Sequence, residues 1–154
     1  MLKRAPAAAL DAARSLLSPR RLDPHSADIA AARAAFAQFV KLEAAHDPAL
    51  VDMYAEDGVV VERMIEAGVE KPAREFPLQR YKASLARALT VSRKANETST
   101  HRAVTLEWVA AGWVLVRSIR AYTHSRAPAP YEALLKREAD GCWRVAKEIA
   151  TLVL

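Results

Sequence analysis

The sequence predicts an α+β domain in which N-terminal helices pack on a strongly curved, mainly antiparallel sheet. Up to about residue 95, apolar residues recur at the spacing of an α-helix. From Thr98 onward, the chain consists of segments rich in β-branched and aromatic residues, separated by glycine and proline. At 154 residues the chain is long enough to bury one hydrophobic core, so a single folded domain accounts for it.

The composition excludes several classes of protein. The chain is 52% hydrophobic and 27% charged, which is typical of globular rather than disordered proteins. It has no run of about 18 apolar residues, so we expect no membrane span. Cys142 is the only cysteine, and an intrachain disulfide is therefore excluded. Asp11 and Arg14 interrupt the apolar run that an export signal needs, and we therefore expect a cytoplasmic protein.

The net charge of +5 is concentrated at the N-terminus. Residues 1–25 contain five Lys and Arg against two Asp, which accounts for +3 and leaves only +2 for residues 26–154. Screening at physiological ionic strength leaves little long-range attraction from so small a charge, so we expect no nucleic-acid partner. We therefore predict a basic arm over residues 1–25, either a solvated tail or a contact for an acidic partner, followed by one folded domain over residues 26–154.

Two helices are predicted in the first 46 residues. In the arm, Leu10, Ala13 and Leu17 share one face of a predicted short helix over residues 6–17. Ser26 is a residue type that caps helices, and it is predicted to begin a longer helix that runs to about residue 46. The apolar stripe of this second helix predicts that it packs against another element.

A short helix and a strand are predicted next. Asp47 followed by Pro48 indicates a helix start, because aspartate caps free amides and proline is tolerated at the first helical position. This helix is predicted to include Tyr54 and to end near Gly58. Three consecutive valines follow that glycine, and they predict a strand over residues 59–65.

One further helix and four strands complete the prediction. Leucines at helical spacing follow Pro77, which is predicted to start the helix. The four strands are separated by a glycine, by two prolines and by an Asp-Gly turn, which is typical of an antiparallel meander. They are predicted over residues 101–110, 113–124, 131–139 and 143–154.

Two motifs carry a resemblance to a known superfamily. Residues 47–60, with the sequence DPALVDMYAEDGVV, are similar to a short helix that ends in an aromatic residue and acids before a strand. Residues 137–145, with the sequence READGCWRV, are similar to a last hairpin with Asp-Gly at its turn. In this order they resemble the NTF2-like superfamily, including its SnoaL-like and ketosteroid isomerase-like members, over about residues 27–152. The resemblance implies a cone with an internal pocket, and it does not choose among the superfamily's many functions.

The resemblance also implies a candidate catalytic residue. Glu62 stands where the isomerase-like members keep the carboxylate that shuttles a proton. A carboxylate facing an apolar cavity is suited to act as a general base, because desolvation raises its pKa. Phe39 and Ala133 stand where those enzymes have a tyrosine and a protonated acid that stabilise an oxyanion. We therefore do not expect a steroid isomerase.

Strand alternation suggests further polar residues for a site. His101, Thr105 and Glu107 are predicted to share one strand face, and other polar residues interrupt apolar faces further along the chain. One interpretation places all of these at the surface, in ion pairs or at sheet edges. The other brings several of them into one pocket, where a cation would favour an anionic or carbonyl-bearing ligand. The pocket residues predicted in this way are Glu62 as the catalytic residue and Tyr54, Arg117, Lys147 and Phe39 as ligand-binding residues.

No metal or cofactor motif is present in the sequence. The four histidines lack the spacing of a metal site, and the four glycines form no phosphate-binding loop. We therefore expect no cofactor. Three functions stay open: a pocket protein for a small apolar or weakly acidic ligand, an isomerase, dehydratase or cyclase that uses Glu62, and a protein-interaction module that uses the sheet face.

The apolar strands also predict a partner. Residues 113–116 and 152–154 are consecutively apolar, so both faces of the sheet need cover at these places. Helices on one side of a sheet cover only one of its faces. We therefore expect a homodimer through the outer face, which agrees with the back-to-back pairing frequent in the superfamily. The N-terminal arm is the competing cover.

Overall fold

The computed structural model describes residues 23–154, so the basic arm before Asp23 and its predicted helix over residues 6–17 lie outside the described residues. The helices are α1 (Pro24–Ala44), a 3-10 helix (Pro48–Met53) and α2 (Leu78–Lys94). The strands are β1 (Tyr54–Glu66), β2 (Val69–Glu70), β3 (Arg74–Pro77), β4 (Ser99–Ala110), β5 (Trp113–Tyr122), β6 (Ala129–Arg137) and β7 (Trp143–Val153).

The strands form one strongly curled sheet in the order β2-β1-β7-β6-β5-β4, with β3 paired to β1. The pairing of β1 with β7 is parallel, and all other pairings are antiparallel. The predicted class, helices on a strongly curved and mainly antiparallel sheet, is confirmed. The sequence did not predict the short strands β2 and β3, which lie in the segment where we expected a turn and a loop.

Helix α1 begins before its predicted cap. The Asp23 carboxylate accepts a hydrogen bond from the Ser26 backbone N–H at 2.9 Å, and Pro24 occupies the first turn. The cap is therefore Asp23 and not Ser26. Aspartate satisfies the free amides of the first turn, and the fixed φ of proline suits the first helical position, so the Asp-Pro pair determines the start.

The predicted short helix ends earlier than expected. It is a 3-10 helix that stops at Met53, and Tyr54 is the first residue of β1 rather than part of the helix. Strand β1 continues through Gly58, where a Cβ atom would collide with the Ala146 carbonyl oxygen. The close approach to β7 explains why a glycine inside a strand does not end it.

The core lies between α1 and the inner face of the sheet. Phe36 and Phe39 of α1 are buried against fully buried residues of β5 and β6, such as Val116 and Ala133. Asp28 ties the start of α1 to the β4–β5 turn, because its buried carboxylate accepts a hydrogen bond from the Gly112 backbone N–H at 2.8 Å. These contacts fix α1 across the sheet. Near the C-terminal end of α1, Glu43 contacts His101 of β4 and Arg120 of β5.

Within residues 23–154, no helix is long and apolar enough to cross a membrane. The cytoplasmic location stays a prediction.

Candidate functional site

A small cavity lies between α2, the C-terminal end of α1 and the inner face of β5. Its volume is about 120 Å³. Leu50, Leu85 and Leu89 form an apolar side of the cavity, and charged and hydroxyl-bearing residues form the rest. The polar residues used below are Glu43, Tyr54, Tyr81 and Arg120.

An ion pair lines this cavity. Arg120 Nη2 donates a hydrogen bond to Glu43 Oε1 at 2.6 Å, and Arg120 Nε donates to Ser99 Oγ at 2.8 Å. Among residues 23–154, Arg120 Nη1 makes no hydrogen bond. The guanidinium therefore keeps one unused donor group beside a carboxylate that is already engaged, and the two residues present a donor and an acceptor to a ligand in the cavity.

A histidine holds the other oxygen of the same carboxylate. His101 Nε2 lies 3.0 Å from Glu43 Oε2, and His101 Nδ1 lies 2.9 Å from Ser118 Oγ. An ionised carboxylate only accepts hydrogen bonds, so the geometry assigns the donated proton to Nε2. Both oxygens of Glu43 are therefore oriented by buried or largely buried partners.

A second carboxylate lies deeper in the same region. The Tyr54 hydroxyl donates to Glu148 Oε2 at 2.6 Å, and Glu148 is only 3% exposed. The Tyr131 hydroxyl is buried and has no hydrogen-bonding partner of regular geometry among the described residues, although it lies close enough to Glu148 to oppose a rise in its pKa. Tyr54 thus stands between the cavity and a buried acid.

The two buried glutamates have opposite pKa shifts. Burial raises the pKa of Glu148, and the charge of Arg120 and the hydrogen bond from Tyr54 offset only part of that rise. Burial alone would also raise the pKa of Glu43, but the hydrogen bond from His101 and the charge of Arg120 outweigh it and leave the pKa lowered. Glu43 is therefore held as an anion, whereas Glu148 is held more readily as a neutral acid.

The pKa values of Tyr54 and Arg120 are shifted in the direction that favours the usual protonation state of each residue. Burial raises the pKa of Tyr54 well above its ordinary value. Burial by itself would lower the pKa of Arg120, but the nearby charges of Glu43 and Glu148 raise it. Arg120 therefore stays cationic and Tyr54 keeps its proton.

Two of the predicted ligand-binding residues lie at this site. Tyr54 lines the cavity, and Phe39 is buried behind it, with ring centroids 5.5 Å apart in an edge-to-face arrangement. Glu148 lies directly opposite Ala133 in the β6–β7 pairing. Tyr54 therefore lies beside Phe39, and Glu148 lies beside Ala133.

The structure does not bring Arg117 and Lys147 to the cavity. Arg117 is half exposed on the outer face of the sheet, where it pairs with Glu107 and Glu132. Lys147 is exposed on the same face. The predicted grouping of these residues with Tyr54 in one pocket is corrected, because consecutive positions of a strand point to opposite faces and Val116 and Glu148 are the inward neighbours.

Glu62 lines a different hollow, with Tyr81 and Arg80 of α2. Its side chain is 30% exposed and pairs at 2.9 Å with Arg74, which is 58% exposed. The ion pair places its carboxylate at the surface rather than in the buried cluster around Glu148. Its role as a general base is not tested by these contacts and stays a prediction.

Sequence analysis missed Glu43, Arg120 and Glu148, and it predicted the wrong neighbours for His101. His101 was expected on one face with Thr105 and Glu107, but it is buried while those two are exposed. Strand β4 has an irregularity between Arg102 and Thr105, and an extra residue in a strand reverses the faces that follow. A positive-φ alanine, Ala103, marks the position.

A larger hollow of about 600 Å³ lies on the other side of Tyr54. It is open and lined mainly by charged side chains that pair with each other, such as Arg144 with Asp140 at 2.8 Å. The smaller cavity is the better candidate site, because an apolar wall and several buried polar groups converge on it. Over residues 23–154 no group of three or more histidine, cysteine and acidic side chains is arranged to hold a metal ion.

The structure is similar to several solved structures. One is a ketosteroid isomerase-like protein from Erwinia carotovora atroseptica, with 20% identity over 81% of this chain and 95% of that one, at a TM-score of 0.50. Another is a provisionally assigned scytalone dehydratase from Novosphingobium aromaticivorans, with 15% identity over 82% of this chain and 85% of that one, at a TM-score of 0.56. A third is a provisionally assigned calcium/calmodulin dependent protein kinase II association domain from Xanthomonas campestris. It has 16% identity over 79% of this chain and 84% of that one, at a TM-score of 0.54.

No protein-family model and no curated protein matches the sequence. The identities to these three solved structures are below 25%, so the similarity is one of fold. The three similar proteins differ in what they are described to do, and the fold therefore leaves the choice of function to the site.

Proposed function

We infer, on the premise that this chain has the NTF2-like fold shown by its structural neighbours, that it is a pocket protein that binds a small, apolar or weakly acidic ligand. The cavity beside Arg120 is the proposed binding site. The observation that carries the proposal is the unused Arg120 Nη1 donor at a cavity that has one side formed by leucines. A few placed polar groups in an apolar cavity are typical of small-molecule sites.

The size of the cavity limits the ligand. At about 120 Å³ it approaches the size of cavities that hold a single aromatic ring, since an apolar cavity of about 150 Å³ binds benzene. Leu85 and Leu89 would contact the ring. Tyr54 lines the cavity, and Phe39 packs against Tyr54 on the side away from the ligand. A ligand much larger than one ring requires α2 to move.

The test is a phenol titration followed by NMR chemical shifts of the protein. Phenol is expected to shift the amides of residues that line the cavity. Ala88 lines the cavity on α2, so Ala88→Trp is expected to block binding, whereas Ala86→Trp, on the same helix but outside the cavity lining, leaves it unchanged. Binding that is equal in both variants, or shifts confined to another surface, would contradict the proposed site.

We also propose a homodimer through the outer face of the sheet. Leu115, Leu134 and Ile149 form an apolar hollow there, and Glu132 and Lys147 lie in the same hollow. Opposite charges beside an apolar patch make the face complementary to a second copy of itself in a two-fold arrangement. The similarity in fold to an association domain is consistent with this use of the fold.

Sedimentation distinguishes a homodimer from a monomer in which the N-terminal arm covers the outer face of the sheet. We expect the full chain to sediment as a dimer, and Leu134→Glu to sediment as a monomer. Val91→Glu is the control, because Val91 is 58% exposed on α2 and lies away from the sheet face. A full-length monomer that associates only after removal of residues 1–22 would refute the dimer and assign the arm its role as the cover.

The enzyme alternative has a direct test in Glu62. Its contacts with Arg74 favour a surface ion pair, so Glu62→Gln is expected to leave phenol binding unchanged. If Glu62 is a general base, the same variant abolishes a proton transfer reaction while binding persists. The protein-interaction alternative is represented by the outer-face dimer.

A further inference from the structure

We propose that the cavity selects a neutral, hydroxyl-bearing ring over a carboxylate, because its arginine is already neutralised by the Glu43 carboxylate. This inference rests on the proposed binding function and defines the chemical class of its ligand. The argument uses the arrangement of donors and acceptors at the Glu43–Arg120 pair and the charges that surround it.

The hydrogen bonds at the pair define what a ligand can satisfy. Arg120 offers the unused Nη1 donor, and the Glu43 carboxylate accepts hydrogen bonds from Arg120 and His101, with the Ser99 hydroxyl as a third neighbour. Two carboxylate oxygens have about four lone-pair sites, so the carboxylate can still accept a further hydrogen bond. A hydroxyl group both donates and accepts, so it can bridge the carboxylate and the guanidinium. A carbonyl satisfies only the donor, and an aliphatic or aryl group satisfies neither.

The charges at the pair oppose a second anion. Arg120 Nη2 lies 2.6 Å from Glu43 Oε1, so the charge of the guanidinium is already balanced by a carboxylate. A ligand carboxylate that contacts Nη1 would come close to Glu43, which is largely buried and therefore poorly screened by salt. Like charges placed together at a binding site repel each other, which is how charged sites exclude wrong partners.

The orientation of the Glu43 carboxylate is fixed by His101, which lies outside the cavity lining. His101 is almost fully buried and hydrogen-bonds both Glu43 and Ser118, so the carboxylate cannot swing away from the cavity to admit an anion without breaking these bonds. His101 is therefore a positioning residue for this selectivity. It does not line the cavity itself.

The test compares phenol, toluene and benzoate, which share a ring and differ in one substituent. By isothermal titration calorimetry at pH 7 we expect phenol to bind tightest and benzoate to bind at least about tenfold more weakly. Benzoate or toluene binding as tightly as phenol overturns the inference but leaves the pocket in place. If none of the three binds, the proposed function itself fails.

A variant tests the cause of the selectivity. Glu43→Gln keeps the shape of the side chain but removes its charge, so Arg120 is left uncompensated. We expect the ratio of benzoate to phenol affinity to rise by at least about tenfold, a change that simple loss of packing would not produce. An unchanged ratio in a folded variant overturns the role of Glu43. Should this variant not fold, the comparison of the three ligands on the unaltered protein still decides the inference.

Discussion

Two arginines three residues apart on β5 lie in opposite environments. Arg117 is 50% exposed on the outer face, where it pairs with Glu107 and Glu132. Arg120 is 15% exposed on the inner face, where it pairs with Glu43 across the gap to α1. Both form ion pairs of similar length, at 2.7 Å and 2.6 Å. The difference shows that the face of the sheet, rather than the ion pair itself, determines what an arginine does here.

The outer pairs connect neighbouring strands, while the inner pair connects the sheet to a helix. Exposed pairs are weakened by water and salt, and they contribute little to stability. A buried pair contributes little as a whole, yet removing one partner leaves an uncompensated charge that is costly. The loss of polar residues from the inner face is therefore expected to lower the free energy of unfolding more than the loss of polar residues from the outer face.

The largest effect is expected from Arg120→Met. It leaves the Glu43 carboxylate without its cation, and the free energy of unfolding is expected to fall by about 3–5 kcal/mol. Arg117→Met is the matched control on the outer face, where solvent replaces the lost partner, and only a small change is expected. Urea denaturation of both variants measures this, and losses of equal size would remove the distinction between the faces.

A smaller loss is expected from Tyr54→Phe. Glu148 then loses the hydroxyl donor at 2.6 Å while remaining buried, which is expected to cost about 1–3 kcal/mol of unfolding free energy. Tyr122→Phe removes a longer hydrogen bond, 3.2 Å to Glu97, from a less buried site and is expected to cost less. A Tyr122 variant that is the less stable of the two would contradict this ranking.

Opposite pH dependence is expected from the two buried glutamates. The raised pKa of Glu148 means that its contribution to stability is complete below its usual value of 4.5 and is lost as pH rises through the raised value. The lowered pKa of Glu43 means that its contribution is complete above 4.5 and is lost as pH falls through the lowered value.

Substitution isolates each contribution. Relative to the unaltered protein, Glu148→Gln is expected to become progressively less destabilising as pH rises above about 4.5. Glu43→Gln is expected to become progressively less destabilising as pH falls below about 4.5. Unfolding free energies measured between about pH 3 and pH 7 provide the comparison. Two variants with the same pH trend would show that the glutamates are not in opposite protonation environments.

The smallest effect is expected at the irregularity of β4. Ala103 has a φ of 52°, a conformation that favours glycine, so Ala103→Gly is expected to raise the free energy of unfolding by up to about 1 kcal/mol. Ala121→Gly in the regular strand β5 is the control, and it is expected to lower stability by about 0.5–1 kcal/mol. The same sign at both positions would show that Ala103 carries no strain.

The elements were predicted well where the signals are local. Strands β4, β5, β6 and β7 begin and end within two residues of the predicted ranges, because β-branched segments and turn residues determine them over short distances. The Asp-Pro signal at Asp47 was recognised, and the same signal at Asp23 was overlooked in favour of Ser26. The fold class followed from the order of these elements.

The site residues were predicted less well because the faces of the strands were not determined by local pattern. On β5, Trp113 and Leu115 are apolar on one face and Val114 and Val116 on the other, so the sequence alone does not indicate whether Arg117 or its neighbours point inward. Only the packing of α1 against the inner face makes Arg120 the buried arginine.

On β7 an extra residue decides the same question. Leu134 pairs with Lys147, but Leu135 pairs with Val145, so Ala146 is left without a counterpart. Strict alternation from Val145 would place Lys147 inside, as we predicted, whereas the extra residue turns it outward and places Glu148 inside. A comparable irregularity in β4 turns His101 inward.

By itself the sequence determined which segments are helices and strands, where most of them end, and which class of fold they build. Those properties depend on residues a few positions apart, whose spacing, caps and turns are visible in the chain. Tertiary structure alone decided that Glu43, Arg120 and Glu148 meet beside one cavity while Arg117 and Lys147 face outward. Strand irregularities and helix packing set those faces, and both arise from contacts between residues far apart in the chain.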